Sequence, residues 1–167
     1  MPKKNFDFNL ENPSGEDSEI VTFLKEHWGS KHIVSRGKKV NAALLPRVVA
    51  RRRNYKLIGL AIYQINEQDN SCELISIDAV IRGQGTGTQL LNTVEQEARK
   101  SGCTRIWLIT VNDNPEAAAF YVKRGYRLVK VHLNALEISR KLKPEIPKIG
   151  NHGIPIMDEW EFEKKLK

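Results

Sequence analysis

The stretch Arg82-Gly83-Gln84-Gly85-Thr86-Gly87-Thr88 limits the fold more than any other part of the chain. The apolar run before it, Glu73 to Ile81, reads as a strand, and the chain from Ser71 to Ala79 carries its apolar members Leu74, Ile75 and Ile77. After it, Leu90, Leu91, Val94 and Ala98 recur at the spacing of one helix face within Gly85 to Ser101. A strand, a glycine-rich turn and a helix therefore follow one another. The first amides of a helix lack internal partners and carry the positive end of its dipole. Glycines, having no Cβ, let a large anion approach those amides. A phosphate or diphosphate is the guest that such a turn suits. The competing reading is a connection with no ligand. Three glycines within five residues argue against it, because each adds unfolded-state entropy of roughly 0.5–1 kcal/mol.

Two familiar phosphate patterns do not fit. The Walker loop ends in Gly-Lys-Ser/Thr, and no lysine stands here. The dinucleotide fingerprint places its third glycine at the sixth position, which is Thr88 when counted from Gly83. The pattern Arg/Gln-x-x-Gly-x-Gly/Ala does fit, through Arg82, Gly85 and Gly87. On these residues the chain resembles the GNAT superfamily of N-acetyltransferases, whose members grip the pyrophosphate of acetyl-CoA with this loop. Asn114-x-x-Ala117-x-x-Phe120-Tyr121-x-x-x-Gly125-Tyr126 resembles the second signature of the same family and lies one strand further on. Two motifs in this order are far more specific than either alone. The resemblance is strongest from about 47 to 132, and the order of elements from Phe6 onward agrees with it.

The resemblance implies an α/β (α+β) fold. Its mixed, mostly antiparallel sheet would have six or seven strands, with helices on both faces and a central V between the Glu73 and Arg105 strands. It also implies one N-acetyltransferase domain over residues 1–167. The cofactor core would span about 47–132, and residues 133–167 would supply a helix, a Pro/Gly-rich loop and a last strand. The implied activity is direct attack of a primary amine, on a small molecule or a protein, at the thioester of acetyl-CoA. No covalent enzyme intermediate and no metal take part.

Site residues follow from the same likeness. Arg82, Gly83, Gln84, Gly85, Thr86, Gly87 and Thr88 would hold the pyrophosphate. The strand backbone at Ile77, Asp78, Ala79 and Val80 would bind the pantetheine arm as if it were an added strand, with a bulge or splay freeing its amides. A backbone amide of that strand would face the developing oxyanion. Asn114 and Tyr121 are implied cofactor contacts, and Tyr121 would protonate the leaving thiolate; the rival reading of Tyr121 is a packed core side chain. The base has several candidates. Glu73 ranks first, falling on the family position if two residues are deleted before Arg82 and two residues from it otherwise. His132 ranks second. Asp78 is one residue off in face parity, and a water chain is a further option. Arg36, between the first helix and the next strand, is a substrate-side candidate or a surface-loop residue, as is His32.

Other elements read directly. Phe6 to Leu10 alternates as a strand, and Ile20, Leu24 and Trp28 mark a helix over Ser18 to Trp28. Ser30 to Val40 reads as a polar, basic loop, followed by one helical turn at Asn41 to Leu45. Arg47 to Arg53 and Lys56 to Ile65 read as a hairpin whose arginines face solvent. Arg105 to Val111 reads as a central strand buried on both faces. Asn114 caps a helix begun by Pro115 and ended by Gly125. Tyr126 to His132 is a strand, Asn134 to Lys143 a short helix, and Asp158 to Leu166 a half-exposed strand with an acidic face.

The 167 residues carry a net charge of +7, which suits an anionic cofactor but also raises nucleic acid as a partner. No nucleic-acid motif surrounds the arginine run, so that reading is the weaker one. A non-catalytic CoA-binding module and transfer of a longer acyl group remain as further alternatives. Cys72 and Cys103 form neither a disulfide framework nor a metal set and read as buried thiols in a reducing, cytoplasmic setting. The N-terminus has no apolar core of a secretory signal, and the longest apolar runs are too short to span a bilayer. A homodimer is common among similar proteins and stands as an open option.

Overall fold

The structure is a computed structural model and describes residues 6–167. Residues 1–5, where no secretory signal is expected, lie outside the described residues. Strands and helices follow in the order β1 (Phe6–Glu11), α1 (Ser18–Trp28), β2 (His32–Ser35), β3 (Lys38–Asn41), β4 (Arg47–Arg52), β5 (Leu57–Asn66), β6 (Ser71–Ala79), α2 (Thr86–Lys100), β7 (Arg105–Val111), α3 (Pro115–Val122), β8 (Arg127–His132), α4 (Ala135–Leu142) and β9 (Glu159–Lys165). Single 3-10 turns occupy Ala42–Leu44 and Asn151–Gly153. Asp17 caps α1, accepting from the amides of Glu19 at 2.8 Å and Ile20 at 3.4 Å. Asn114 caps α3 by accepting from the Ala117 amide at 3.1 Å, with Pro115 at the first helical position.

Seven strands form one sheet in the order β1-β4-β5-β6-β7-β9-β8, and β2 pairs with β3 in a separate hairpin. Every pairing is antiparallel except that of β6 with β7. Helix α2 supplies the crossover between those two parallel strands, as a strand-helix-strand unit requires. Their ladder runs from Ser71↔Arg105 to Leu74↔Leu108 and stops. β6 stays paired with β5 as far as Gly59↔Ala79, and β7 stays paired with β9 as far as Val111↔Glu159. The two strands therefore diverge after Leu74 and Leu108. This is the expected mixed α/β sheet with its central V.

Apolar side chains cover both faces. Leu90, Leu91, Val94 and Ala98 of α2 join Leu74, Leu108 and Tyr121 in one cluster. Ile20, Phe23 and Leu24 of α1 join Leu60 and Ile62 in the other, together with Ile33 of the hairpin. Gly59 lets α2 lie close to β5, since a Cβ there would sit 3.0 Å from both Leu90 Cδ1 and Thr86 Cγ2.

Three expectations need correction. Ser30 to Val40 is not a loop: it holds the β2–β3 hairpin, turned by Arg36 (φ 53°) and Gly37 (φ 69°). Both turn residues have positive φ, as the tight turns that suit strand twist demand. Arg47 is not solvated but 4 % exposed, because Glu11 of β1 takes its Nε–H at 3.0 Å and the Ala43 carbonyl takes an Nη1–H at 3.2 Å. β7 is buried on one face only. Ile106 and Leu108 are covered, whereas Trp107, Ile109 and Val111 on the other face are half-buried. Cys72 and Cys103 are free and buried. Among the described residues, no helix is long and apolar enough to cross a membrane.

Candidate active site

The glycine-rich turn lies where β6 leaves the sheet. Val80 and Ile81 already belong to this turn rather than to the strand. Gly83 (φ 78°) and Gly85 (φ 77°) adopt left-handed backbone that side chains rarely tolerate. Gly85 caps α2 without any side-chain hydrogen bond, and the first turn of α2 carries no acidic residue. The helical ladder begins with Gln89 N–H donating to the Gly85 carbonyl at 3.0 Å. The preceding amides, at Thr86, Gly87 and Thr88, therefore point out of the helix end. Arg82, Gly83, Gln84 and Gly85 are exposed, and Thr86 is buried beneath them.

The edge of β6 that faces the V is the second element of the site. The Val80 amide donates to the Ile58 carbonyl at 2.8 Å, so it is not available to a ligand. Alternate residues present their amides to opposite edges of a strand. With Val80 and Asp78 turned toward β5, the N–H and C=O groups of Ile77 and Ala79 face the diverging β7. Among the four strand residues named from sequence, these two keep backbone groups for a ligand. A bulge contributes as well. Ile62 pairs with Ser76 and Tyr63 with Leu74, leaving Ile75 as the extra residue. The bulge shifts the pleat by one position. Asp78, off by one in simple alternation, thereby comes to the α1 face that Glu73 also shares. Its carboxylate accepts from Trp28 Nε1 of α1 at 2.7 Å. Burial raises its pKa, and the Trp28 hydrogen bond and His27 oppose that shift.

Tyr121 stands on the opposite, α2–α3 face, 6 % exposed. Its ring packs against Phe120, Tyr126 and Phe162, with centroids 5.2, 5.6 and 6.3 Å away. Burial pushes its phenol well above the ordinary range; Asp78 adds to the shift and Arg124 opposes it. The hydroxyl is thus a neutral donor at physiological pH. Asn114, by contrast, has its side-chain oxygen engaged in capping α3.

The remaining candidates gather on the α1 face under the β2–β3 hairpin. Glu159 of β9 is 2 % exposed. It accepts from Ser35 Oγ at 3.4 Å and from the Arg36 amide at 3.3 and 3.1 Å, which fastens the hairpin tip to the sheet. The Arg36 guanidinium sits against the His132 imidazole, whose Nε2 bonds Glu161 Oε1 at 3.1 Å. His132 thus lies between the Arg36 guanidinium and the Glu161 carboxylate. Glu73 has no such partner among the described residues. It is paired opposite Trp107 at the point where the V opens, and it is half-buried. Burial is the main cause that brings its pKa up to about 7. Glu159 and Glu161 push the same way, while Lys38 and Arg36 pull it down.

The structure thus separates the sequence candidates into two groups across β6. Tyr121 lies on one face with the glycine-rich turn, and Glu73, His132 and Arg36 lie on the other. Trp28 and Arg124 were not foreseen as members, and Glu159 was read only as part of an acidic strand face that could attract a cationic amine or be solvated. For Glu159, the signal was the period-two run Glu159, Glu161, Glu163 on one side of its strand. Trp28 and Arg124 carried no signal beyond their helical faces. Among the described residues, no three His, Cys, Asp or Glu side chains come together as a metal set.

The β6–β7 pair thus splays beside the open N-terminus of α2, so a free strand edge and unpaired helix amides border one cleft. Residues 16–126 match the family model described as Acetyltransferase (GNAT) family, and the chain belongs to that family. It is 41% identical over 147 residues to the uncharacterized protein YdhI of Bacillus subtilis (strain 168), covering 88% of this chain and 91% of the relative. Among solved structures it is similar to the IAA acetyltransferase from Bacillus cereus ATCC 14579. That match has a TM-score of 0.70 and 15% identity, covering 96% of this chain and 99% of the other. It is also similar to a GNAT family acetyltransferase from Elizabethkingia anophelis with acetyl-CoA bound. There the TM-score is 0.69 and the identity 18%, covering 98% and 100% of the two chains.

Proposed function

We propose that this acetyltransferase moves an acetyl group from acetyl-CoA to a primary amine, of a small molecule or a protein, by direct attack on the thioester. The observation that carries the reading is the free β6 edge running straight into the unpaired amides of α2. The pantetheine arm, an amide-bearing chain, adds to Ile77 and Ala79 as a short strand would. The diphosphate lies on the amides from Gly83 to Thr88 with Arg82 beside it. Contacts to the donor then fall within residues 47–132 of a single catalytic domain.

Glu73, with a pKa near neutrality, takes the proton that the attacking amine loses. The new N–C bond forms as the thioester carbonyl oxygen gains negative charge, and a β6 amide facing the V stabilises that charge. The C–S bond then breaks. Tyr121 gives its proton to the departing thiolate and regains one from solvent, and Glu73 releases its proton the same way. The products are an acetamide and the CoA thiol.

The nucleic-acid alternative has lost support, because Arg47 and Arg51 of the basic run are paired with Glu11 and Glu19. The non-catalytic alternative is decided by incubating acetyl-CoA with a panel of amines and reading free thiol. Release above the rate of hydrolysis with at least one primary amine is expected. CoA binding without release for any amine would favour the module. In the active pairing, Tyr121→Phe should lower kcat about 100-fold while KM for acetyl-CoA changes little, as removal of a general acid does. An unchanged kcat would return Tyr121 to a packing role.

A further inference from the structure

Arg124 lies at the end of α3, outside the residues assigned above, yet its guanidinium joins α3 to the first turn of α2. It stacks on the Phe120 ring at 3.6 Å from the centroid and donates through Nη1 to the Phe120 carbonyl at 2.7 Å. Its Nε and Nη2 both donate to Thr88 Oγ1, at 3.1 and 2.5 Å. The same Phe120 ring borders Gly87, where an added Cβ would stand 3.5 Å from Phe120 Cε2. A threonine hydroxyl has two acceptor lone pairs and one proton to give. Here the guanidinium fork takes both lone pairs, so the O–H is left to point away from Arg124.

We propose that Arg124 is a positioning residue for the diphosphate. By filling both acceptor sites of Thr88 Oγ1, it commits that hydroxyl to donate outward, beside the free amides of Thr86, Gly87 and Thr88. The arrangement rests on the reading that this loop holds a diphosphate. It adds a side-chain donor and a nearby fixed positive charge to what would otherwise be a purely backbone cradle. A lysine would keep the charge but not the fork that occupies both lone pairs.

The test compares wild type with Arg124→Met, Arg124→Lys, Thr88→Val and the Arg124→Met/Thr88→Val double variant. CoA binding is followed by calorimetry, and turnover is followed with acetyl-CoA and with S-acetylpantetheine, a donor that has no diphosphate. Each single variant, lysine included, is expected to weaken CoA about 10-fold, the scale of one charge-assisted hydrogen bond. The double variant should be no weaker than about the same 10-fold, since the two residues act as one unit. KM for acetyl-CoA should rise in parallel with little change in kcat, while kcat/KM for S-acetylpantetheine stays at the wild-type value. An equal loss with both donors would reduce Arg124 to a packing link between α2 and α3 and overturn the proposal. So would unchanged CoA affinity in Arg124→Met. Failure of wild type itself to bind CoA would instead remove the functional reading beneath it.

Discussion

Gly85→Asp is expected to weaken acetyl-CoA binding by at least about 100-fold, the effect of setting like charges face to face in a recognition site. Gly85 is the N-cap of α2 and has left-handed backbone. Aspartate is among the few side chains that visit that backbone. The fold should therefore persist, with a melting temperature within a few degrees of wild type. The new carboxylate would instead set a negative charge at the helix end that the diphosphate needs. Calorimetry with CoA and a thermal melt measure the two halves separately. Loss of both affinity and fold would say only that the turn is fragile; retained affinity would remove the diphosphate from this helix end.

Glu73→Gln is expected to lower kcat by about 100-fold or more, the range for loss of a general base. It should also change the pH profile. In wild type, kcat rises with pH through about 7 as Glu73 loses its proton, and glutamine removes this limb while leaving any limb set by the amine itself. Stability should move the other way. The carboxyl is raised from 4.5 to about 7 in the folded chain. Its favourable contribution is therefore complete below 4.5 and is lost as pH rises through about 7. At pH 8 the wild type holds a desolvated carboxylate and the variant a neutral amide. Glu73→Gln should then melt higher than wild type at pH 8, and the gap should close as the pH falls toward 4.5. An active site that opposes its own fold is expected where a buried base is kept ready. A variant with wild-type kcat would transfer the base role to water or to His132.

Much of this architecture was legible because it is written locally. The strand–glycine–helix sequence at Arg82 to Thr88, the Asn114–Pro115 cap and the apolar spacing of α2 each involve residues within a turn or two of one another. The hairpin at His32–Asn41 was not legible. Its strands are only four residues long, β3 opens with two lysines, and its turn uses Arg36 where asparagine or aspartate would have announced it. Its stability also comes from Glu159, more than a hundred residues away. The site shows the same division. The glycine-rich turn could be read from spacing, but the company of Glu73 could not. β9 enters the sheet between β7 and β8, which carries Glu159 and Glu161 to the V. The bulge at Ile75 then changes the face on which Asp78 lies. Both are long-range pairings that no periodicity encodes.

The most direct measurement is a titration of isotope-labelled protein with CoA, followed through its backbone amide resonances. The largest shifts should fall at Gly83 to Thr88, with Ile77 and Ala79 moving together as the pantetheine arm joins β6 and Val80 moving less because its amide is already bonded to Ile58. A binding isotherm whose shifts avoid the start of α2, or no shifts at all at saturating CoA, would contradict the account.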